Sequence, residues 1–264
     1  MQRRDFLASG LAAGALAMAR SAEAQSATPS SGERQYLELR KYQMMSGPQG
    51  RLTQSYISTA LIPALNKMGI GPVGAFSLYF GQDTPSTYLL LPSASLEALV
   101  NVQAKLAEDA AFVDAAKAFW SAPAAAAPFV RVESQLLRSF AGYPKVTPPK
   151  DKPKNRCFQL RTYESATDLD HVRKVEMFHQ GEFGFFQQAG ADTVFFADTL
   201  IGPRMPSLTY MLGFGDTTEI DAKWAVFSNI PEWKKLNQDP KYNFEPTVSN
   251  IDNLILKPLA SSQI

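Results

Sequence analysis

His179 is the side chain in this sequence best suited to moving protons near neutral pH. On a helical wheel of about 100° per residue it shares a stripe with Val172, Val175, Phe183 and Phe186. It is therefore predicted on the buried face of a helix, with Glu176 and Glu182 three residues to either side. An imidazole in apolar surroundings with a carboxylate in reach can act as general acid or base, or as an axial ligand to haem. The competing reading, which the sequence favours, is a core histidine held by one carboxylate. The other histidine, His171, falls about 80° away on the same wheel and is predicted to face solvent. A single cysteine, Cys157, rules out a CxxC cluster and an internal disulfide. His179, Glu176 and Glu182 are thus the catalytic candidates, with no metal expected and haem as the one cofactor alternative.

Arginine also recurs two residues before tyrosine, as Arg40 with Tyr42 and Arg161 with Tyr163. In a strand both members of each pair point to one face, and an arginine on a packed sheet face needs a carboxylate or an anionic ligand. Glu133 and Asp252 recur on later strands, so internal pairs Arg40–Glu133 and Arg161–Asp252 are predicted. Should those carboxylates stand elsewhere, the arginines become ligand anchors. Arg40, Tyr42, Arg161, Tyr163 and Tyr210 are the candidate ligand-binding residues. The run from Gly202 to Pro206 reads as a rigid turn carrying an exposed Arg204, and Trp224, Phe227 and Trp233 read as core. Phosphate-loop, GxSxG and HExxH patterns do not occur, so the sequence supports no nucleotide, acyl-hydrolase or zincin chemistry.

The elements that must position these residues are written twice. The segment from Tyr36 to Tyr42 recurs 121 residues later from Cys157 to Tyr163, and the segment from Thr87 to Leu91 recurs from Thr209 to Gly213. Each copy reads as a strand, a helix, two strands, a helix and a last strand. In the first copy the helices end near Gly69 and cover 95–119; in the second they end near Gly190 and cover 218–227. That order is the ferredoxin-like βαββαβ arrangement, an α+β fold with helices on one face of an antiparallel sheet. Two tandem copies can cover their bare faces by packing the sheets together into an intrachain dimeric α+β barrel. The Arg-x-Tyr face would then line that interior or meet the helices.

The 264 residues carry 26 Lys+Arg against 25 Asp+Glu, a balance that gives no long-range field for nucleic acid. Arg3 and Arg4, an apolar Ala/Gly-rich run and Ala22-Glu23-Ala24 read as a twin-arginine export signal over 1–24, so a periplasmic or secreted protein is expected. No apolar run reaches the ~20 residues of a membrane span. The reading continues with a linker at 25–34, a first domain at 35–141, a Pro- and Lys-rich linker at 142–155 and a second domain at 156–264.

The second copy resembles the NIPSNAP family through Glu176-Met177-Phe178, Val194-Phe195-Phe196, the run from Leu200 to Pro206, Ala222-Lys223-Trp224, the run from Glu232 to Leu236 and Leu256-Lys257-Pro258. The first copy is more diverged. The resemblance implies a dimeric α+β barrel fold but supplies no catalytic residues to carry over. The expected function is binding of a small, partly apolar ligand or a protein partner through the barrel, by a monomer with an internal pseudo-dimer or by a homo-oligomer. The alternative is an oxygenase- or isomerase-like enzyme using His179 with Glu176 or Glu182.

Overall fold

A computed structural model describes residues 34–242 and 247–264. The paired arginines and the expected export signal over 1–24 lie outside them. The first half runs β1 (Tyr36–Gln43), α1 (Pro48–Tyr56), α2 (Ile62–Lys67), β2 (Gly74–Phe80) and β3 (Ser86–Ser93). Four short helices follow, α3 (Leu96–Val100), α4 (Val102–Glu108), α5 (Ala110–Ala115) and α6 (Lys117–Trp120), and then β4 (Arg131–Ser139). The second half runs β5 (Cys157–Glu164), α7 (Asp168–Met177), α8 (Phe183–Gln188), β6 (Asp192–Ile201), β7 (Ser207–Phe214), α9 (Glu219–Asn229), α10 (Pro231–Asn237) and β8 (Asn250–Pro258). The single helix predicted over 95–119 is broken because Ser95 and Asp109 each turn a side-chain oxygen onto following backbone N–H groups, starting a new helix there.

Each half has the strand order of the split βαβ unit, β4-β1-β3-β2 and β8-β5-β7-β6. Its outer strands would be left with unpaired backbone groups, and here β2 pairs with β8 and β4 with β6, all antiparallel. The eight strands therefore close into one barrel with no free edge. Both halves are ferredoxin-like and the fold is the tandem α+β barrel that the sequence pattern predicts.

The middle of the barrel is filled, and a cavity of about 520 Å³ opens at one end among Leu39, Tyr88, Leu160, Arg204, Asp252 and Leu254. Leu37, Leu39 and Leu90 from the first half meet Phe158, Leu160 and Met211 from the second, all buried. Phe76 and Phe158 meet edge to face across the halves, 5.1 Å between centroids. One end is plugged by Val146 and Ile264, also buried in this cluster. The linker around Val146 is fastened there, the Val146 N–H donating to Gln35 Oε1 at 2.8 Å and the Thr147 N–H to the Val194 carbonyl at 2.9 Å. The other end holds two charged clusters: Lys41 with Asp83 at 2.7 Å and Glu133 at 3.5 Å, and Arg204 with Asp252 at 2.9 Å and Glu164 at 3.7 Å.

Alternation along β1 and β5 sends Leu39 and Leu160 inward, so Arg40, Tyr42, Arg161 and Tyr163 stand on the outer face, under the helices. In each half the first helix contains one wide i→i+5 turn, at Ile57–Leu61 and at Phe178–Glu182, again 121 residues apart. The second is kinked at Gly181, whose φ of 135° favours a residue without a Cβ. Asp170, Lys174, Met177, Phe178, Glu182 and Phe186 are the buried residues of this helix pair, while Val172 and His179 are exposed. The wheel that put Val172 and His179 inside goes wrong because it ranks charged residues as outward, and here they are buried in pairs.

Because the halves share one core, they should unfold together. Cys157 is fully buried, and burial pushes its thiol up to about 11. In a denaturant titration, reaction of Cys157 with Ellman's reagent and the change in Trp120 emission should share one midpoint. Phe158→Ala should shift that midpoint for both probes, at a cost of about 3–5 kcal/mol. Separate midpoints would show that the halves are independent units.

Candidate ligand-binding clefts

The packed interior leaves space between the sheet and its helices, once in each half. The first cleft, of about 560 Å³, has aromatic walls from Tyr42, Tyr56, Phe119, Trp120 and Phe129. Tyr56 and Phe119 stack at 4.0 Å with rings 6° from parallel, and the Trp120 indole N–H donates to the Tyr56 hydroxyl at 3.3 Å. Its floor is polar. Arg40 donates from Nε to Glu38 Oε1 at 2.7 Å and from Nη2 to Glu38 Oε2 at 2.9 Å, a two-pronged fork on a buried carboxylate. The Ser134 hydroxyl donates to Glu38 Oε1 at 2.8 Å, and Arg40 Nη1 reaches the Tyr42 hydroxyl at 3.4 Å. The charge of Arg40 is thus balanced within the wall.

The second cleft, of about 450 Å³, is lined by Gln159, Arg161, Ile220, Trp224, Asn253 and Ile255, with Phe80 arriving from β2 of the first half. The Trp224 indole N–H donates to Gln159 Oε1 at 2.7 Å. The Arg161 guanidinium lies over the Trp224 ring at 4.6 Å and beside the Tyr163 ring at 5.3 Å. Trp224 is therefore a cleft wall as well as a core residue.

The predicted pairs Arg40–Glu133 and Arg161–Asp252 do not form. Register sets Glu133 opposite Lys41 and Asp252 opposite Thr162, one residue from the arginines in each case. A one-residue step in a strand changes the face, so both acids join the barrel-end clusters. Tyr210 lies away from both clefts, fully buried, its hydroxyl donating to the Tyr163 hydroxyl at 2.7 Å and its ring stacked on Phe196 at 5.5 Å.

His179 is exposed, and both its ring nitrogens are engaged. Nδ1 lies 2.8 Å from the Val175 carbonyl, which can only accept, so Nδ1 carries the proton and Nε2 accepts from the Gly142 N–H at 3.0 Å. The ring ties the interdomain linker to the helix, and a Cβ on residue 142 would stand 2.8 Å from His179 Cδ2. Either proton transfer or axial ligation of haem would have to break a bond that this geometry makes, so these residues do not fit that group. His171, predicted to face solvent, is half-buried with Nε2 3.1 Å from Asp198 Oδ1.

Nor are the two glutamates turned to His179. Glu176 accepts from Lys241 and from the Tyr242 hydroxyl, and the Lys241 bond holds its carboxyl below the usual range. Glu182 is buried against Lys174 at 3.0 and 3.1 Å, while Lys174 Nζ also sits over the Phe178 ring at 4.8 Å. Burial pushes the Glu182 carboxyl up, and Lys174 opposes it. The polar groups that the sequence reading passed over are Glu38, Ser134, Gln159 and Asn253. Glu38 was legible, since alternation places it on the same face as Arg40.

Filled barrel and outer clefts together define a dimeric α+β barrel built from one chain. Residues 156–263, most of the second half, match the NIPSNAP family. Among solved structures, a candidate monooxygenase from Fusobacterium nucleatum is similar over 86% of this chain and 93% of its own, at 12% identity and a TM-score of 0.58. A candidate monooxygenase from Lactobacillus acidophilus matches over 85% and 94%, at 10% identity and a TM-score of 0.57. An uncharacterised NIPSNAP-like domain protein from Burkholderia xenovorans covers 40% of this chain and 87% of its own, at 17% identity and a TM-score of 0.36. The first two likenesses are of fold. No curated protein matches the chain.

Lys174 and Glu182 give the helix layer its most sensitive point. Lys174→Met should destabilise the protein by about 3–5 kcal/mol in urea unfolding, because it strands a buried carboxylate. The double variant Lys174→Met/Glu182→Leu should recover most of that loss. A single variant no worse than the double would refute the pairing.

Proposed function

We propose that this protein binds a small, partly apolar ligand in the clefts between its sheet and helices. The observation that carries this reading is the first cleft: about 560 Å³ enclosed by five aromatic rings above a floor of Glu38, Arg40 and Ser134. Pockets for small molecules are typically of this size, mostly apolar with a few converging polar groups. Tyr42, Tyr56 and Trp120 would supply flat contact area, and the Glu38–Arg40 fork would offer both donors and acceptors without net charge. No catalytic step is assigned, because His179, Glu176 and Glu182 are each engaged apart from the clefts and from one another.

Nile red, a neutral apolar dye, tests the cleft. It should bind saturably with enhanced emission, and Ala122→Trp, which adds an indole at the cleft wall, should abolish binding with the melting temperature retained. Absence of binding, or binding indifferent to Ala122→Trp, would refute the reading. Export through residues 1–24 belongs to the same proposal and rests on the Arg3-Arg4 pair and the apolar run after it. Lysine at both positions should leave the protein in the cytoplasm on cell fractionation, and unchanged export would count against the twin-arginine route.

A further inference from the structure

The two clefts occupy equivalent places but differ in charge. Arg40 and Arg161 stand at the same point of β1 and β5, and each faces the last strand of its half, Arg40 opposite Ser134 and Arg161 opposite Asn253. Two residues earlier, where the first half has Glu38, the second has Gln159. This exchange removes the carboxylate that forks Arg40. Gln159 does not replace it, because its amide carries no negative charge and offers one oxygen, which already accepts from the Trp224 indole N–H at 2.7 Å.

What remains nearby compensates only in part: Arg161 shares a hydrogen bond with the neutral Tyr163 side chain and feels the Glu182 charge from a distance. Glu182, the other acid of this layer, has both oxygens on Lys174 at 3.0 and 3.1 Å. Asp252 is on the opposite face of the sheet, held by Arg204 at 2.9 Å. Asp221 lines the cleft from α9 but is exposed, and it makes no ion pair with Arg161 among the described residues. Arg161 is left between the rings of Trp224 and Tyr163, with its Nε buried and unmatched by any acceptor among the described residues. A buried guanidinium nitrogen without an acceptor is costly, and Arg161 has no carboxylate fork of the kind that Glu38 gives Arg40.

We infer that the second cleft binds a small organic monoanion, a carboxylate attached to a flat apolar body, with Arg161 taking the carboxylate. The inference rests on the reading that the sheet–helix clefts hold ligands, and it adds the chemical class for one of them. A carboxylate would supply the acceptor that Arg161 Nε lacks. A planar carboxylate fits the guanidinium fork as Glu38 fits Arg40 in the first half. Asn253 stands opposite Arg161 with a side-chain amide, and Phe80, Ile220, Trp224 and Ile255 surround about 450 Å³ for the apolar body.

Isothermal titration calorimetry with benzoate and with benzamide, its neutral counterpart of the same shape, tests this on the full chain. Benzoate should bind about tenfold or more tightly than benzamide. Gln159→Glu should weaken benzoate binding about tenfold or more, because it rebuilds within the wall the fork seen at Arg40, and Arg161→Gln should do the same. Thermal melting checks that each variant is folded; should Arg161→Gln fail to fold, Gln159→Glu decides alone. Equal affinity for benzoate and benzamide, or benzoate binding untouched by Gln159→Glu, overturns the assignment. Nile red binding on the same preparations separates the two ideas. Dye binding without benzoate binding leaves the ligand-binding reading standing and removes the anion site, whereas loss of both removes both.

Discussion

Edge pairing is the constraint on which the rest of this structure depends. A four-stranded ferredoxin-like sheet has two unpaired edges and one bare apolar face, and one half alone could satisfy neither. Here β2–β8 and β4–β6 hydrogen bonds remove all four edges at once, and the same closure buries Phe76 against Phe158 between the sheets. Closure also decides where a ligand can be. Side chains from both sheets consume the middle of the interior, so space remains at its charged end and outward, beneath the helices. The Pro- and Lys-rich linker, which the sequence suggests is a spacer, becomes part of this arrangement when Val146 enters one end of the barrel.

A duplicated chain has two copies of every outer-face position, and this one has used them differently. At the level of β1 and β5 the backbone, the arginine and the tyrosine are kept, while Glu38 becomes Gln159. Within the helix layer the change runs the other way: Thr53, 121 residues before Lys174, is a buried hydroxyl donating to the Pro128 carbonyl, whereas Lys174 brings a charge and Glu182 a counter-charge. The wide helical turns at Ile57–Leu61 and Phe178–Glu182 are common to both halves, so the backbone frame is conserved between them while the electrostatics above it are not.

How much of the site could be read in advance follows from the range over which each signal acts. Alternation is local, and it correctly groups Glu38, Arg40 and Tyr42 on one face. The Arg40–Glu38 fork lies within that window and was available from spacing alone. Pairing with Glu133 or Asp252 depends instead on the register between distant strands, where a shift of one residue moves an acid from the cleft side to the barrel side. For His179, hydropathy fails for a different reason. The buried side of its helix sets Lys174 and Glu182 among Met177, Phe178 and Phe186, a mutual neutralisation that no periodicity analysis can register, and His179 is turned out to hold Gly142.

The sequence by itself determined the duplication, the βαββαβ order in each half, the antiparallel α+β class and the resemblance of the second copy to NIPSNAP domains, because these rest on short-range periodicity and on comparison of the chain with itself. Only the tertiary structure decided that the middle of the barrel is full, that cavities lie beneath the helices and at the charged end, that His179 is a fastening and not a base, and that Arg161 Nε is left without an acceptor. Each of those depends on which groups meet once separate segments are brought side by side, and on the cost of burying charge, which is settled by the partner and not by the residue type.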